Sequence, residues 1–137
     1  MKSLVVIFTL FFSQVSFASK CDINEDTILN NESFTNIFVG NVTKAYIEDF
    51  PELRGGKRAV AEFELIDTIK GSPEKLNFVY FVNDGHSIML GQKHLFVTDD
   101  KGFSHFCSGS GVIDYWPISS TSVRSHIYYR LKDKVAQ

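Results

Sequence analysis

Cysteine, tryptophan, proline and histidine are all scarce in this chain of 137 residues, which holds two, one, three and four of them. Each scarcity closes off a reading. Two cysteines cannot build a four-thiolate zinc site or a disulfide-dense scaffold. The histidines (His86, His94, His105 and His126) form neither HExxH nor any tight zinc spacing. Positive charge is not in excess, with 14 Lys+Arg against 16 Asp+Glu and no basic cluster. A nucleic-acid or anionic-membrane partner is therefore not expected. The chain has no internal repeat, low-complexity tract or linker between domains.

Long apolar runs are also missing. The longest, Leu4–Phe12, is too short to span a bilayer at about 1.5 Å per residue. Lys2 precedes it, and Ser16 and Ala18 place small residues at −3 and −1 of a cut after Ala18. That is the pattern of a signal peptide over residues 1–18, which leaves residues 19–137 as one secreted or periplasmic domain. Lys20, immediately before Cys21, is too large for the peptidase that prepares lipidated cysteines, so no membrane anchor is expected. Removing Lys2 shifts the formal charge to near −3. In an exported chain a lone pair of cysteines is most often a disulfide, here Cys21 with Cys107.

Strand-forming residues, in contrast, are plentiful. Thr35–Ile47 is rich in β-branched and aromatic residues, and Gly40 in its middle predicts a bend or bulge. Ala59–Gly71 sets Ala61, Phe63 and Leu65 against Glu62 and Glu64, and the alternation slips near Ile66-Asp67, where a bulge would restore it. Lys75–Val82 is apolar on both faces, so something must cover the outer one. Lys93–Thr98 and Phe103–Cys107 read as a hairpin turned at Asp100-Lys101-Gly102. Asp22–Phe34 reads as one or two helical turns. After Pro117 the period changes: Val123, Ile127, Leu131 and Val135 recur every four residues, a helix stripe able to cover a sheet face, with Ser120, Thr121 and Ser122 as N-caps. Five strands and a terminal helix predict a mostly β fold, a small closed barrel of OB type, with an open α+β sheet as the competing arrangement.

"IFVGNVTKA" (Ile37–Ala45), "AEFELIDTIKGS" (Ala61–Ser72), "LNFVYF" (Leu76–Phe81) and "LGQKHLFVTDDKGFSHFCSGSGVI" (Leu90–Ile113) occur in that order. Together with the two cysteine positions they resemble the netrin-like domain. The match is to its branch of tissue inhibitors of metalloproteinases (TIMP), including the little-characterised bacterial members. The resemblance covers about Cys21–Ile113. It implies a five-stranded closed OB-type barrel, a Cys21–Cys107 bridge and a role in binding a protein partner, with metalloprotease inhibition as one version. In the animal inhibitors the mature chain begins with cysteine, whose free amine and carbonyl chelate the protease's zinc. Here Ser19 and Lys20 precede Cys21, so its nitrogen is an amide and cannot act in that way. The binding ridge implied here is Ser19, Lys20, Cys21 and Asp22 beside Ser108, Gly109 and Ser110, with the Asn83–Ser87 loop nearby.

Enzyme chemistry is the competing reading: a small envelope hydrolase or a metal-dependent enzyme. His105 and Cys107 stand two apart on one strand face and could reach one metal if Cys107 were a thiolate. Asp84, His86 and Ser87 invite a triad, yet a polar turn explains them as well. "CSGSG" (Cys107–Gly111) has no helical pattern after it, as a nucleophile elbow needs. Tyr46, Tyr80, Phe81 and Trp116 could stack bases, but the acidic charge opposes this. Asn31 and Asn41 head glycosylation triplets. The expectation is a non-enzymatic monomer with no cofactor and no metal.

Overall fold

A computed structural model describes residues 21, 23–81, 88–105, 107–113 and 123–137. Six strands form one curled, half-barrel sheet: β1 (Asn36–Asp49), β2 (Lys57–Lys70), β3 (Val79–Phe81), β4 (Lys93–Thr98), β5 (Phe103–Ser104) and β6 (Gly111–Val112). Their order across the sheet is β5-β3-β2-β1-β4-β6. β4 therefore returns beside β1 after the β1-β2-β3 meander, which is a Greek-key arrangement. All neighbours are antiparallel except β3 and β5, which run parallel. Two helices complete the chain, α1 (Glu25–Asn30) and α2 (Val123–Val135).

The expected closed five-stranded barrel is corrected in two respects: the sheet is open, and it has six strands. The hairpin expected between Lys93–Thr98 and Phe103–Cys107 forms its turn but no ladder. Asp99 Oδ1 accepts from the backbone N–H of Lys101 and Phe103, at 2.9 and 2.8 Å, and Gly102 takes a φ of 86°. The chain then leaves β4. β5 pairs with β3 for only two residues, Tyr80 with Phe103 and Phe81 with Ser104. The Tyr80 and Phe103 rings pack tilted against each other with centroids 5.0 Å apart, and this long-range packing overrides the local hairpin pattern. The sixth strand is the two-residue return of Gly111–Val112 along β4.

β1 and β2 are long because they bend. Gly40 lies beside a register shift, and a Cβ there would sit 3.1 Å from Phe63 and 3.2 Å from Phe96. The bulge expected near Ile66-Asp67 is present: Val39 faces Asp67 while Gly40 faces Leu65, so Ile66 has no partner of its own. A second bulge skips Ile69. These shifts carry Leu65 and Ile66 to the surface, at 39 and 48 % exposure, so Leu65 does not continue the buried face expected of it.

The bend gives β1 two buried faces. Phe38 and Val42 point into the concave side with Ala61, Val79, Phe81 and Phe96. Ile37 and Val39 point the other way, joining Leu95, Val97, Ile69, Ile28 and Phe34 under α2. α2 contributes Ile127 and Leu131, both buried, while Val135 is exposed; the Val123 side chain and the expected caps at Ser120–Ser122 lie outside the described residues. α1 begins with a capping box in which Asn24 Oδ1 accepts from Asp26 and Thr27 N–H, and Thr27 Oγ1 returns to Asn24 N. Lys134 pairs with Asp26, and Arg130 lies 3.5 Å from Glu25, linking α2 to α1.

The helix does not cover β3. There the outer face is closed by Arg58, whose guanidinium lies 3.9 Å from the Tyr80 ring centroid and 4.1 Å from that of Phe50. Glu48 pairs with it at 2.5 Å. A cation sandwiched between aromatic faces thus does the covering that Tyr80 and Phe103 require.

Leu131 has no exposure, so Leu131→Ala should cost about 2–4 kcal/mol in denaturant unfolding. A loss under about 0.5 kcal/mol would mean that α2 is a loose tail. Asp67 offers a second test of helix docking. Its carboxylate accepts from Lys132 Nζ at 2.8 Å and from Tyr128 Oη at 2.7 Å. These bonds, Lys132's first, hold it below the usual carboxylate range. A depressed folded pKa stabilises above the unfolded value, about 4, and that contribution is lost as pH falls through the folded value. Wild type should exceed Asp67→Asn in stability at neutral pH, with the gap narrowing in acid. A gap that does not change with pH would contradict this.

Candidate functional site

The two cysteines are bonded to each other, with Cα atoms 5.3 Å apart across 86 residues of sequence. Cys107 has a φ of 65°, a positive value found at no other non-glycine among the described residues. That conformation costs about 1–2 kcal/mol for an L-residue. The tight turn after β5 requires it: Ser108 N–H donates to His105 C=O at 3.0 Å, and the chain reverses toward β6.

The bond sets Cys21 and the approach to α1 against this turn. Gly109 is buried under Ile23 and Ile28, and a Cβ on it would lie 2.9 Å from Ile28 Cδ1 and 3.1 Å from Ile23 Cγ2. With a φ of 90°, Gly109 is suited to both the turn and the close approach. Of the ridge read from the sequence, Cys21, Ser108, Gly109 and Ser110 come together here; Ser19, Lys20 and Asp22 lie outside the described residues.

Ser108 and Ser110 are buried, at 0 and 1 % exposure. Their hydroxyls meet that of Ser104, which lies 2.7 Å from Ser110 Oγ and 3.0 Å from Ser108 Oγ. Ser110 Oγ accepts from Val97 N–H at 2.8 Å and donates to Val97 C=O at 3.2 Å. The cluster therefore ties the turn to β4 and β5 inside the fold. Buried hydroxyls are stable there because each has a partner. Among the described residues, what this region can present to a partner is the half-buried Cys21 rather than the serine side chains.

The residues considered for chemistry are dispersed. His105 is exposed, its Nε2 3.4 Å from Asp99 Oδ2, and its neighbour Cys107 is oxidised, so no thiolate stands beside it. Asp84, His86, Ser87 and Trp116 lie outside the described residues. Tyr80 packs on the outer face and Phe81 in the concave core, so they share no platform. Asn31 is exposed, its Oδ1 accepting from Ser33 N–H at 2.9 Å, whereas Asn41 is half-buried on β1. Among the described residues, no group of three His, Cys, Asp or Glu could hold a metal ion. Nor is any helix there long and apolar enough to cross a membrane.

Sequence reasoning missed His94. It is fully buried, with Nε2 accepting from Met89 N–H at 3.2 Å and Nδ1 donating to Gln92 C=O at 3.0 Å. This assigns the neutral Nδ1–H tautomer and fixes the turn before β4. The signal was present: His94 stands two residues before Phe96, on the same strand face, and the rings stack 5.7 Å apart. A groove of about 270 Å³ lies between Asn36, Ser72, Lys75 and Asp100. Asn36 already donates to Asp99 C=O and accepts from Ser72 N–H, at 2.9 and 3.0 Å, so its amide belongs to the fold. No protein-family model matches the chain, and no curated protein matches it.

Replacing Cys21 and Cys107 together by serine should lower stability by about 2–5 kcal/mol. Thiol titration of the denatured, unreduced protein should find none free. Two thiols per chain, or an unchanged unfolding curve, would refute the staple.

Proposed function

We propose that the protein is an exported, non-enzymatic protein-binding module of netrin-like, TIMP-branch type, built on an OB-type barrel. The observation that carries this reading is the Cys21–Cys107 bond, which sets Cys21 and the approach to α1 beside the turn after β5. The partly open Greek-key order, with β4 returning beside β1, fits an OB-type barrel. A segment held covalently at its base loses little conformational freedom on binding, so its contacts convert efficiently to affinity. In this reading residues 19–22 make the contact, anchored through Cys21 to Cys107 and the buried Ser108–Ser110 turn that follows it. A metalloprotease is the partner class that the resemblance indicates. Inhibition would proceed by insertion of the pinned segment into the cleft, since the amide of Cys21 is not a zinc ligand.

The test is affinity capture from envelope or culture-fluid extract with the chain beginning at Ser19, partners being identified by mass spectrometry. The expected result is one discrete protein, a protease whose activity falls on binding. Residues added ahead of Ser19 should abolish capture, while Tyr129→Ala on exposed α2 should leave it intact. Turnover of a hydrolase substrate panel by the purified chain, with no partner captured, would favour the enzyme reading instead.

A further inference from the structure

β4 accompanies β1 only from Asn36 to Asn41, with Val42 held by Gly91 and Gln92. Beyond it, among the described residues, Lys44–Asp49 has β2 on one side and no strand on the other. The bond from Phe50 N–H to Gly56 C=O, 2.7 Å, fixes the alternation. Glu48, Tyr46 and Lys44 turn their backbone groups toward β2, whereas Ala45, Ile47 and Asp49 turn theirs to the open edge. Ile47 is 70 % exposed.

Among the described residues the sheet has a second open edge, along β2 beyond Glu62, but it is blunted. The bulges at Ile66 and Ile69 break its row of N–H and C=O groups, a common protection against strand addition. The bulge at Thr43 precedes Lys44–Asp49, which itself keeps unbroken register with Lys57–Glu62.

We propose that this edge of β1 pairs antiparallel with the same edge of a second copy, on a two-fold axis at Tyr46. The charge pattern selects the occupant. Pairing about Tyr46 sets Lys44 opposite Glu48 of the second copy, and Glu48 opposite Lys44 of the second copy. Within the chain Lys44 already faces Glu62 at 3.1 Å, and Glu48 faces Arg58. The joined sheet would carry two rows of alternating charge running Glu62, Lys44, Glu48, Arg58 across both copies. Opposite charges on directly facing residues stabilise a ladder and like charges weaken it. Ala45 and Ile47 of the second copy exchange backbone bonds, which covers the exposed Ile47. Such an interface is isologous and closes at two chains. It replaces the expectation of a monomer. With six residues per copy it is small, so association is weak.

Sedimentation velocity on the chain from Ser19, between about 1 and about 500 μM, should show a reversible dimer. Lys44→Glu and Glu48→Lys each place like charges opposite one another and should each weaken dimerisation by roughly tenfold or more. Mixed in equal amounts, the two variants restore both opposite pairs and should form a heterodimer. Glu48→Lys also removes the partner of Arg58, so circular dichroism checks its fold. Ile47→Pro serves independently: it deletes an N–H that faces the open edge and leaves the β2 ladder intact, and should be monomeric. A monomer across the whole range would overturn the proposal. So would a dimer that survives Ile47→Pro, or a mixture of folded charge variants that associates no better than either alone.

Discussion

The Cys21–Cys107 bond is the constraint on which the rest of the site depends. It closes a loop of most of the domain, worth about 4–5 kcal/mol in the chain-entropy account. That is a large share of the net stability of a domain this size. It also holds Cys107 at a positive φ, which turns the chain inward so that Gly109 slides beneath Ile23 and Ile28. The serine cluster then anchors the turn to Val97 on β4. Covalent bond, turn and buried hydroxyls form one chain of support from Cys21 to the middle of the sheet.

A second constraint is the double burial of β1. Alternate residues of Ile37–Val39 enter two cores, one concave and one beneath the helices. A strand buried on both faces needs cover on each, and this explains the division of labour. α1 and α2 close one side, and the outer face of β3 falls to Arg58 between Tyr80 and Phe50. The bend at Gly40 lets one strand serve both cores, and among the described residues the far half of β1 has no strand on its β4 side.

Much of this was legible in the residues. β1 follows from its β-branched and aromatic residues, β4 from its place beside the Asp100-Lys101-Gly102 turn, and β2 from a period-two run in which the bulge beside Ile66 shows as a slip. The four-residue stripe finds Ile127 and Leu131 in the core. What escaped is long-range. Phe103–Ser104 follows a turn that favours a hairpin, and nothing local records that Tyr80 competes for it with a parallel pairing. Gly111–Val112 is too short to leave a period. Ser108 and Ser110 read as part of a binding ridge because burial of a hydroxyl depends on partners away from the turn, here Val97 and Ser104.

Amide hydrogen exchange on the oxidised and reduced protein tests the central claim, that one bond holds the site together through the turn and the serine cluster. The probes are Ile28 N–H, bonded to Asn24 C=O; Ser108 N–H, bonded to His105 C=O; and Val97 N–H, bonded to Ser110 Oγ. The account predicts that reduction speeds exchange at all three while the β1–β2 ladder keeps its protection. Equal protection of the three amides in both states would contradict it.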